Sequence, residues 1–136
     1  MPTQQPSSAK RVVVVAALIQ CAGRLLVCQR RRGDSFGLKW EFPGGKALDG
    51  EAPSEALARE LREELGINSS IGAEVYRTRH RYAGHPAEIE LRFFSADLPA
   101  SEKLQNLAFQ TMEWAALADL PNYDFLPADR ELVAGQ

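Results

Sequence analysis

G-K-A-L-D-G-E-A-P-S-E-A-L-A-R-E-L-R-E-E-L-G-I, residues 45–67, is the stretch of sequence that decides the fold. Pro53 suits the first turn of a helix, where its missing N–H has no partner in any case. Gly66 is typical of the residue that follows the last turn. Three leucines recur every four residues and form one apolar stripe that faces a core: Leu57, Leu61 and Leu65. The stretch therefore predicts a helix that begins at Pro53 and ends before Gly66.

The predicted helix also gathers acidic side chains on one arc beside its apolar stripe: Glu60, Glu63 and Glu64. Like charges three or four positions apart repel by about 0.2–0.5 kcal/mol per pair, and the second half of a helix disfavours anions. A divalent cation would reverse both penalties, because clustered carboxylates are ligands that hard cations such as Mg²⁺ prefer. Such a site can neutralise phosphate charge and orient an attacking water. The alternative is an ordinary solvated helix face.

The fixed residues of this stretch follow the pattern G-x5-E-x7-R-E-U-x-E-E-x-G-U, in which U is apolar. The pattern is filled by Gly45, Glu51, Arg59-Glu60-Leu61, Glu63-Glu64 and Gly66-Ile67. It resembles the signature of the Nudix hydrolases, which cleave nucleoside diphosphates linked to another group. The resemblance implies that Glu51 and Arg59 pair and hold the helix against the preceding loop; the alternative is a surface ion pair of little value.

The order of the other segments fits an α/β (α+β) protein. Strands are predicted over residues 11–19, 25–30, 71–82, 87–96 and 110–115, with a short extended piece at Trp40-Glu41-Phe42 that Pro43-Gly44-Gly45 breaks sharply. A hairpin turn is predicted at Ala22-Gly23, a helical turn at residues 117–120 and a final short helix at residues 127–133. Strands on both sides of one helix suggest a mixed sheet between helices. The Nudix fold, an α/β/α sandwich with a mixed β-sheet between helices, fits that order.

Three segments resemble the MutT-like branch of the family, which sanitises nucleotide pools. Residues 40–46 (W-E-F-P-G-G-K) resemble its W/L-E-F-P-G-G-K lead into the signature. Arg30 ends the second strand, where that branch carries a base-contacting arginine. Residues 125–129 (F-L-P-A-D) resemble its F-P-P-A-N or L-A-P-A-D segment, whose Asn or Asp contacts the nucleobase edge. The resemblance covers about residues 11–133.

The resemblance also implies the roles of the site residues. The expected catalytic residues are Arg59, Glu60, Glu63 and Glu64. The expected ligands of Mg²⁺, with Mn²⁺ as an alternative, are Glu60, Glu63, Glu64 and the backbone carbonyl of Gly44. The expected substrate contacts are Arg30, Glu41, Lys46 and Asp129. Simpler alternatives stay open. Arg30 could belong to a solvated arginine run, and Lys46 could face solvent. Gly44 could be present only for its backbone conformation, and Asp129 could cap a helix.

One position departs from the MutT-like pattern. That branch often carries a further glutamate six residues before the tryptophan of the late strand, and this chain has Ala108 there. The missing glutamate contributes to metal binding or base catalysis in some members. Glu102 is a candidate substitute on the same loop. We therefore assign the general base first to Glu60, with Glu63 and Glu64 as principal metal ligands, although neighbouring carboxylates titrate as a coupled set.

Composition sets the remaining expectations. With 136 residues, a single Nudix domain is expected over residues 10–136, after a disordered tail at residues 1–9. A formal charge of −2 gives no bulk attraction to nucleic acid or to an anionic membrane, so local cations must hold an anionic substrate. The apolar run at residues 12–19 is too short to span a bilayer. Cys21 and Cys28 are expected to be free thiols in a reducing compartment, the cytoplasm.

The expected reaction is the metal-dependent hydrolysis of nucleoside triphosphates, including oxidised or modified dNTPs such as 8-oxo-dGTP, to a nucleoside monophosphate and pyrophosphate. Other substrates stay open: a nucleotide sugar, ADP-ribose or a dinucleoside polyphosphate. A non-catalytic nucleotide-binding module is a second class, although such modules usually lose signature carboxylates. An RNA-end hydrolase would want a basic surface, which the net charge does not favour. The expected partner is the nucleotide alone, with no stable nucleic-acid partner and no membrane, for a monomer or homodimer.

Overall fold

The computed structural model describes residues 11–84 and 86–135. The predicted disordered tail, residues 1–9, lies outside the described residues, and the single domain over residues 10–136 stays a prediction. The elements in chain order are β1 (Arg11–Cys21), β2 (Arg24–Gln29), β3 (Trp40–Glu41), β4 (Gly44–Lys46), α1 (Pro53–Leu65), β5 (Ile71–His80), β6 (Glu88–Ala96), β7 (Thr111–Ala116), a 3₁₀ helix (Leu117–Asn122) and α2 (Pro127–Ala134). Each predicted helix and long strand is present, with ends displaced by one or two residues.

The first strand is the centre of a mixed sheet whose strand order is β3-β2-β1-β6-β5. β1 pairs in parallel with β6 from Arg11 to Ile19 and antiparallel with β2 at Gln20 and Cys21. β4 pairs antiparallel with the middle of β1, and β7 pairs antiparallel with β2. The β-branched run at the start of β1 suits a strand that has neighbours on both edges and is covered on both faces.

Each face of the sheet carries its own apolar core. Successive side chains of a strand point to opposite faces, so β1 contributes alternately to the two cores. The core under α1 contains Val15, Ala17, Ile19, Leu57, Leu61, Leu65 and Phe94. The core under α2 contains Ala16, Phe42, Phe93, Phe125, Ala128 and Leu132. The three leucines of α1 are fully buried, as predicted, and the α/β/α sandwich is confirmed.

The ends of α1 follow the predicted local signals. Pro53 occupies the first position, and the Ala52 N–H donates to Glu55 Oε1 at 3.1 Å. Gly66 adopts a left-handed φ of 67°, and its N–H donates to the Arg62 carbonyl at 3.1 Å. A left-handed residue at this position ends a helix without a steric penalty only when it lacks a side chain.

The predicted break at Pro43-Gly44-Gly45 was only partly right. The chain does turn after β3, where the Ala17 N–H donates to the Pro43 carbonyl at 2.8 Å. Gly44 and Gly45 then form β4, which pairs with β1 through Ala16 and Val15. A Cβ atom on Gly44 would overlap the Val15 carbonyl oxygen, so glycine lets the two backbones approach this closely. Gly44 and Gly45 therefore belong to a strand beside α1, whereas the sequence predicted only the end of the preceding strand.

The hairpin turn between β1 and β2 and the two free thiols are as predicted. Ala22 and Gly23 have φ values of 52° and 77° and form the predicted two-residue hairpin turn between β1 and β2. Both cysteines are free thiols, with Cys21 exposed and Cys28 buried. Across the described ranges, no helix combines the length and the apolar composition that a membrane span requires.

Candidate active site

Arg59 is the centre of a hydrogen-bond network on the solvent side of α1. Its Nε and Nη2 atoms donate to the two carboxylate oxygens of Glu51 at 2.9 and 3.1 Å. Its Nη1 atom donates to Glu60 at 3.1 Å and to Glu63 at 3.3 Å. Nη2 also donates to the Lys46 carbonyl at 3.0 Å, which ties α1 to β4. The predicted Glu51–Arg59 pair is therefore present, and the same guanidinium screens two of the three clustered carboxylates.

Glu60 lies against β4 because that strand carries no side chain at the point of contact. A Cβ atom placed on Gly45 would come within 2.5 Å of the Glu60 Cδ atom. Burial is the main cause that raises the pKa of Glu60, and Arg59 opposes it. Glu63, which was expected to be a principal metal ligand, has an exposed side chain that contacts Arg59.

Glu64 has the most unusual environment of the three helix carboxylates. Its Oε1 atom accepts the Gly44 N–H at 3.1 Å. Burial, followed by the charges of Glu41 and Glu60, raises its pKa to about 9. Burial also raises the pKa of Glu41 to about 7, although Arg30 donates to both of its oxygens at 3.2 and 3.3 Å. The site thus disfavours the ionised form of these clustered carboxyl groups, and a bound cation would reverse that preference.

A single cavity of about 560 Å³ joins these carboxylates to the predicted substrate residues. This volume is in the range of small-molecule sites. α1 and β4 contribute Glu60, Glu64, Gly44, Gly45 and Lys46 to its lining, and the loops contribute Ser35, Phe36, Tyr82, Ala83 and Gly84. Arg30, Glu41, Phe42, Leu126, Ala128 and Asp129 complete most of the wall. Elements from both faces of the sheet therefore meet at one opening.

The predicted substrate residues differ in how firmly they are held. Arg30 directly follows β2, and besides Glu41 it donates to the Ser35 carbonyl at 2.6 Å. Its guanidinium is thus fixed at the cavity wall and does not belong to a solvated arginine run. Lys46 is exposed at the rim, where its ammonium group is free to reach a ligand.

Asp129 is the most buried carboxylate of the cavity, with 4% of its surface exposed. It occupies the third position of α2, whose N-cap is Leu126 without any side-chain cap bond, so the capping alternative is wrong. Burial, with a further contribution from the charge of Glu41, raises the pKa of Asp129 well above its usual value, against the opposing charge of Arg30. The cavity therefore favours the protonated form of this side chain, which can both donate and accept a hydrogen bond.

Glu102 does not substitute for the glutamate that is missing at Ala108. Its carboxylate accepts the Asn68 N–H at 2.7 Å and the Asn68 Nδ2 group at 3.3 Å. Ala108 packs against the core under α1. The loop before β7 thus stabilises the segment after α1, and within the described residues it adds no carboxylate to the cavity lining.

Sequence reasoning missed the aromatic part of the cavity. Phe36 and Tyr82 come from different loops, and their ring centroids are 5.1 Å apart. Tyr82 lines the cavity together with Ala128, at the start of α2. The only local signal was an aromatic residue in each polar loop, which does not indicate that the two loops meet.

Comparisons with known proteins identify the family to which this fold belongs. The NUDIX domain matches residues 9–136. The CTP pyrophosphohydrolase of Escherichia coli K12 is 36% identical over 128 residues, which are 91% of this chain and 90% of that protein. A putative 8-oxo-dGTP diphosphatase 2 of Mycobacterium tuberculosis is 35% identical over 122 residues, covering 90% and 85%. The crystal structure of a MutT NUDIX hydrolase from Burkholderia pseudomallei superposes with a TM-score of 0.80 at 26% identity, covering 92% and 97%. The chain belongs to the Nudix family of hydrolases.

Within that family the chain is MutT-like, as the lead into the signature predicted. Nudix hydrolases generally require a divalent metal, and the residues of this site suit one. The donors available are carboxylates and backbone carbonyls, which are the oxygen ligands that Mg²⁺ and Mn²⁺ prefer. In the described part of the chain no three carboxylate, histidine or cysteine side chains already surround one point. A cation at Glu60 and Glu64 would therefore have to draw Glu63 away from Arg59 to gain a third helix carboxylate.

Proposed function

We propose that this protein hydrolyses nucleoside triphosphates, modified dNTPs included, to a nucleoside monophosphate and pyrophosphate, with Mg²⁺ as the cofactor and Mn²⁺ as an alternative. The observation that carries the proposal is the cavity that joins Glu60 and Glu64 to Arg30 and Asp129. One end of a nucleotide is a polyanion and the other is a flat base with hydrogen-bonding edges, and this cavity offers groups for both. We further propose a cytoplasmic monomer or homodimer that sanitises the nucleotide pool, in line with its free thiols.

The chemistry falls to the residues of α1 and β4. A divalent cation held by Glu60, Glu63, Glu64 and the Gly44 carbonyl would neutralise phosphate charge and orient the attacking water. Glu60 would accept the proton of that water, or bind the cation while a neighbouring carboxylate accepts it, since its carboxylate is half-buried and contacts β4. Arg59 holds Glu60 in place, and Lys46 supplies positive charge at the rim for the departing pyrophosphate.

Base recognition falls to Asp129 and Arg30. A neutral carboxylic acid presents one donor beside one acceptor, which matches the N3 and amino edge of cytosine. A charged carboxylate presents two acceptors and would match the two N–H donors of guanine instead. Since burial raises the pKa of Asp129 and so favours its protonated form, we expect dCTP and 5-methyl-dCTP to be preferred over dGTP. The second candidate is 8-oxo-dGTP, which is favoured by the name of the Mycobacterium tuberculosis relative.

The metal site is tested by Glu64→Gln and Glu63→Gln, with Glu55→Gln as the matched control in the first turn of the same helix. We expect the first two variants to lose at least about 10²-fold in pyrophosphate release with Mg²⁺, since each weakens charge stabilisation at phosphorus. Mn²⁺ titration followed by electron paramagnetic resonance should show weaker metal binding in the same two variants. Turnover within a few-fold of the parent in Glu64→Gln would refute the site.

The role of Asp129 is tested by kcat/KM for dCTP, 5-methyl-dCTP, dGTP and 8-oxo-dGTP. Asparagine presents the same donor and acceptor pair as a neutral acid, so Asp129→Asn should retain the order of preference. Asp129→Ala should reduce kcat/KM for the preferred base by about 10-fold, the size of one or two lost hydrogen bonds. Asp119→Ala, on the exposed 3₁₀ helix, is the control. Including nucleotide sugars, ADP-ribose and dinucleoside polyphosphates in the product assay tests the alternative substrates.

A further inference from the structure

The short final helix carries the base-recognition residue, and its position depends on contacts with two strands. α2 has eight residues, too few to be stable without tertiary contacts. Its start is fixed to β3, because the Trp40 N–H donates to the Asp124 carbonyl and the Leu126 N–H donates to the Trp40 carbonyl, both at 2.9 Å. Ala128 and Leu132 pack against the core, and these apolar contacts lack the directionality of hydrogen bonds.

A second attachment joins α2 to the edge strand β5. The Glu131 carboxylate accepts the Thr78 hydroxyl at 2.7 Å through Oε1 and the Tyr76 hydroxyl through Oε2. These two donors lie two residues apart on the same face of β5, so they hold both oxygens of one carboxylate. Thr78 is buried, and the Tyr76 ring packs at 5.9 Å from Phe93, so both donors are fixed in turn.

We propose that Glu131 is a positioning residue: its carboxylate fixes α2 to β5 and so holds Asp129 at the hydrogen-bonding distance of the nucleobase. Residues 129 and 131 lie about 200° apart around the helix axis, so one points into the cavity while the other contacts the strand outside it. Without Glu131, α2 can pivot about its attachment to β3. Hydrogen bonds weaken steeply outside their narrow range of distance and angle, so a shift of about 1 Å at Asp129 is sufficient to reduce base discrimination.

This inference rests on the proposed nucleotide hydrolysis, and its test measures a ratio rather than a rate. The ratio is kcat/KM for dCTP over kcat/KM for dGTP, measured in the parent and in Glu131→Ala. We expect the ratio to fall about five- to ten-fold, on the order of one hydrogen bond to the base. Glu131→Gln keeps one acceptor oxygen, so its ratio should lie between those of Glu131→Ala and the parent. Glu74→Ala removes another carboxylate from β5, one that is bound to Arg77 and Arg92, and should leave the ratio unchanged.

A double-mutant comparison separates positioning from general loosening of the fold. If Glu131 acts through Asp129, then Glu131→Ala should not change the ratio further in an Asp129→Ala background. Tyr76→Phe combined with Thr78→Val removes the same two donors while it keeps the side-chain volume. It should lower the ratio by about the same five- to ten-fold, so the test remains available if Glu131→Ala does not fold. The inference is overturned if both changes leave the parent ratio within two-fold. If the parent releases no pyrophosphate, the proposed function fails, and ratios of dissociation constants from calorimetry decide the inference instead.

Discussion

Replacing Gly45 by alanine should remove activity while it leaves the fold intact. The added Cβ atom would meet the Glu60 carboxylate at 2.5–2.7 Å, whereas an ordinary contact begins near about 3.5 Å. Glu60 must therefore retreat by about 1 Å. The group that moves is the end of a flexible side chain, and alanine is at least as well tolerated as glycine in a strand, so the free energy of unfolding should change by less than about 1 kcal/mol.

The cost in catalysis follows from the displacement. A misplacement of about 1 Å in a reacting group lowers the rate by about 10²-fold, which corresponds to about 2.7 kcal/mol of transition-state stabilisation. The loss should fall on kcat more than on KM, because in the proposed mechanism Glu60 contacts the attacking water and not the nucleobase. The assay is Mg²⁺-dependent pyrophosphate release from dCTP, together with thermal unfolding of the same preparation.

Gly72→Ala is the matched control. A Cβ atom there would crowd the hydroxyl of Ser95, an exposed side chain on β6 that can rotate away. This variant has the same kind of overlap but lies outside the cavity lining, so its kcat should equal that of the parent. The reasoning is refuted if folded Gly45→Ala stays within three-fold of the parent, or if Gly72→Ala loses as much activity.

Three further outcomes are expected. Arg59→Lys keeps the charge but cannot donate to several carboxylates and a carbonyl at once, so kcat should fall at least about 10-fold with little change in KM. Leu61→Ala should lower the free energy of unfolding in urea by about 2–5 kcal/mol, whereas Leu48→Ala at an exposed position should change it by less than about 0.5 kcal/mol. Glu74 has a pKa lowered to about 2, first by hydrogen bonds from Arg77 and Arg92, so its stabilisation is complete above the unfolded pKa near 4.5 and is lost as the pH falls towards 2. Glu74→Gln should therefore cost about 1 kcal/mol at pH 7 after solvent screening, and equal stability of variant and parent at pH 7 would contradict this.

Local spacing predicted the part of the site that is built by one helix and the loop before it. Pro53, Gly66 and the leucine stripe determine where α1 begins, where it ends and which face it buries. The Glu51–Arg59 pair spans only a few residues of loop and two turns of helix, so its formation depends on little else. These features depend on helical periodicity and on the backbone conformations that proline and glycine favour. Both can be recognised from the sequence alone.

Contacts between distant segments could not be predicted in the same way. β4 forms because β1 lies beside it, and no local feature of Gly44-Gly45 distinguishes a strand from a turn. Glu102 was a candidate from the sequence, but in the structure its carboxylate accepts a hydrogen bond from Asn68, outside the cavity. The attachment of Glu131 to β5 joins residues more than fifty positions apart. Such pairings depend on the packing of the complete sheet, whereas sequence patterns report only local periodicity.

The two thiols differ in burial, so their rates of chemical modification can report how often the sheet opens. Cys21 is exposed beside the β1–β2 turn and should react with a thiol reagent at once. Cys28 is inaccessible, and its thiol pKa is raised by burial and by the charges of Glu41 and Glu64. Its modification must wait until β2 separates from its neighbours. The slow phase of labelling therefore measures the rate at which the strand beneath the α1 carboxylates opens, without any engineered label.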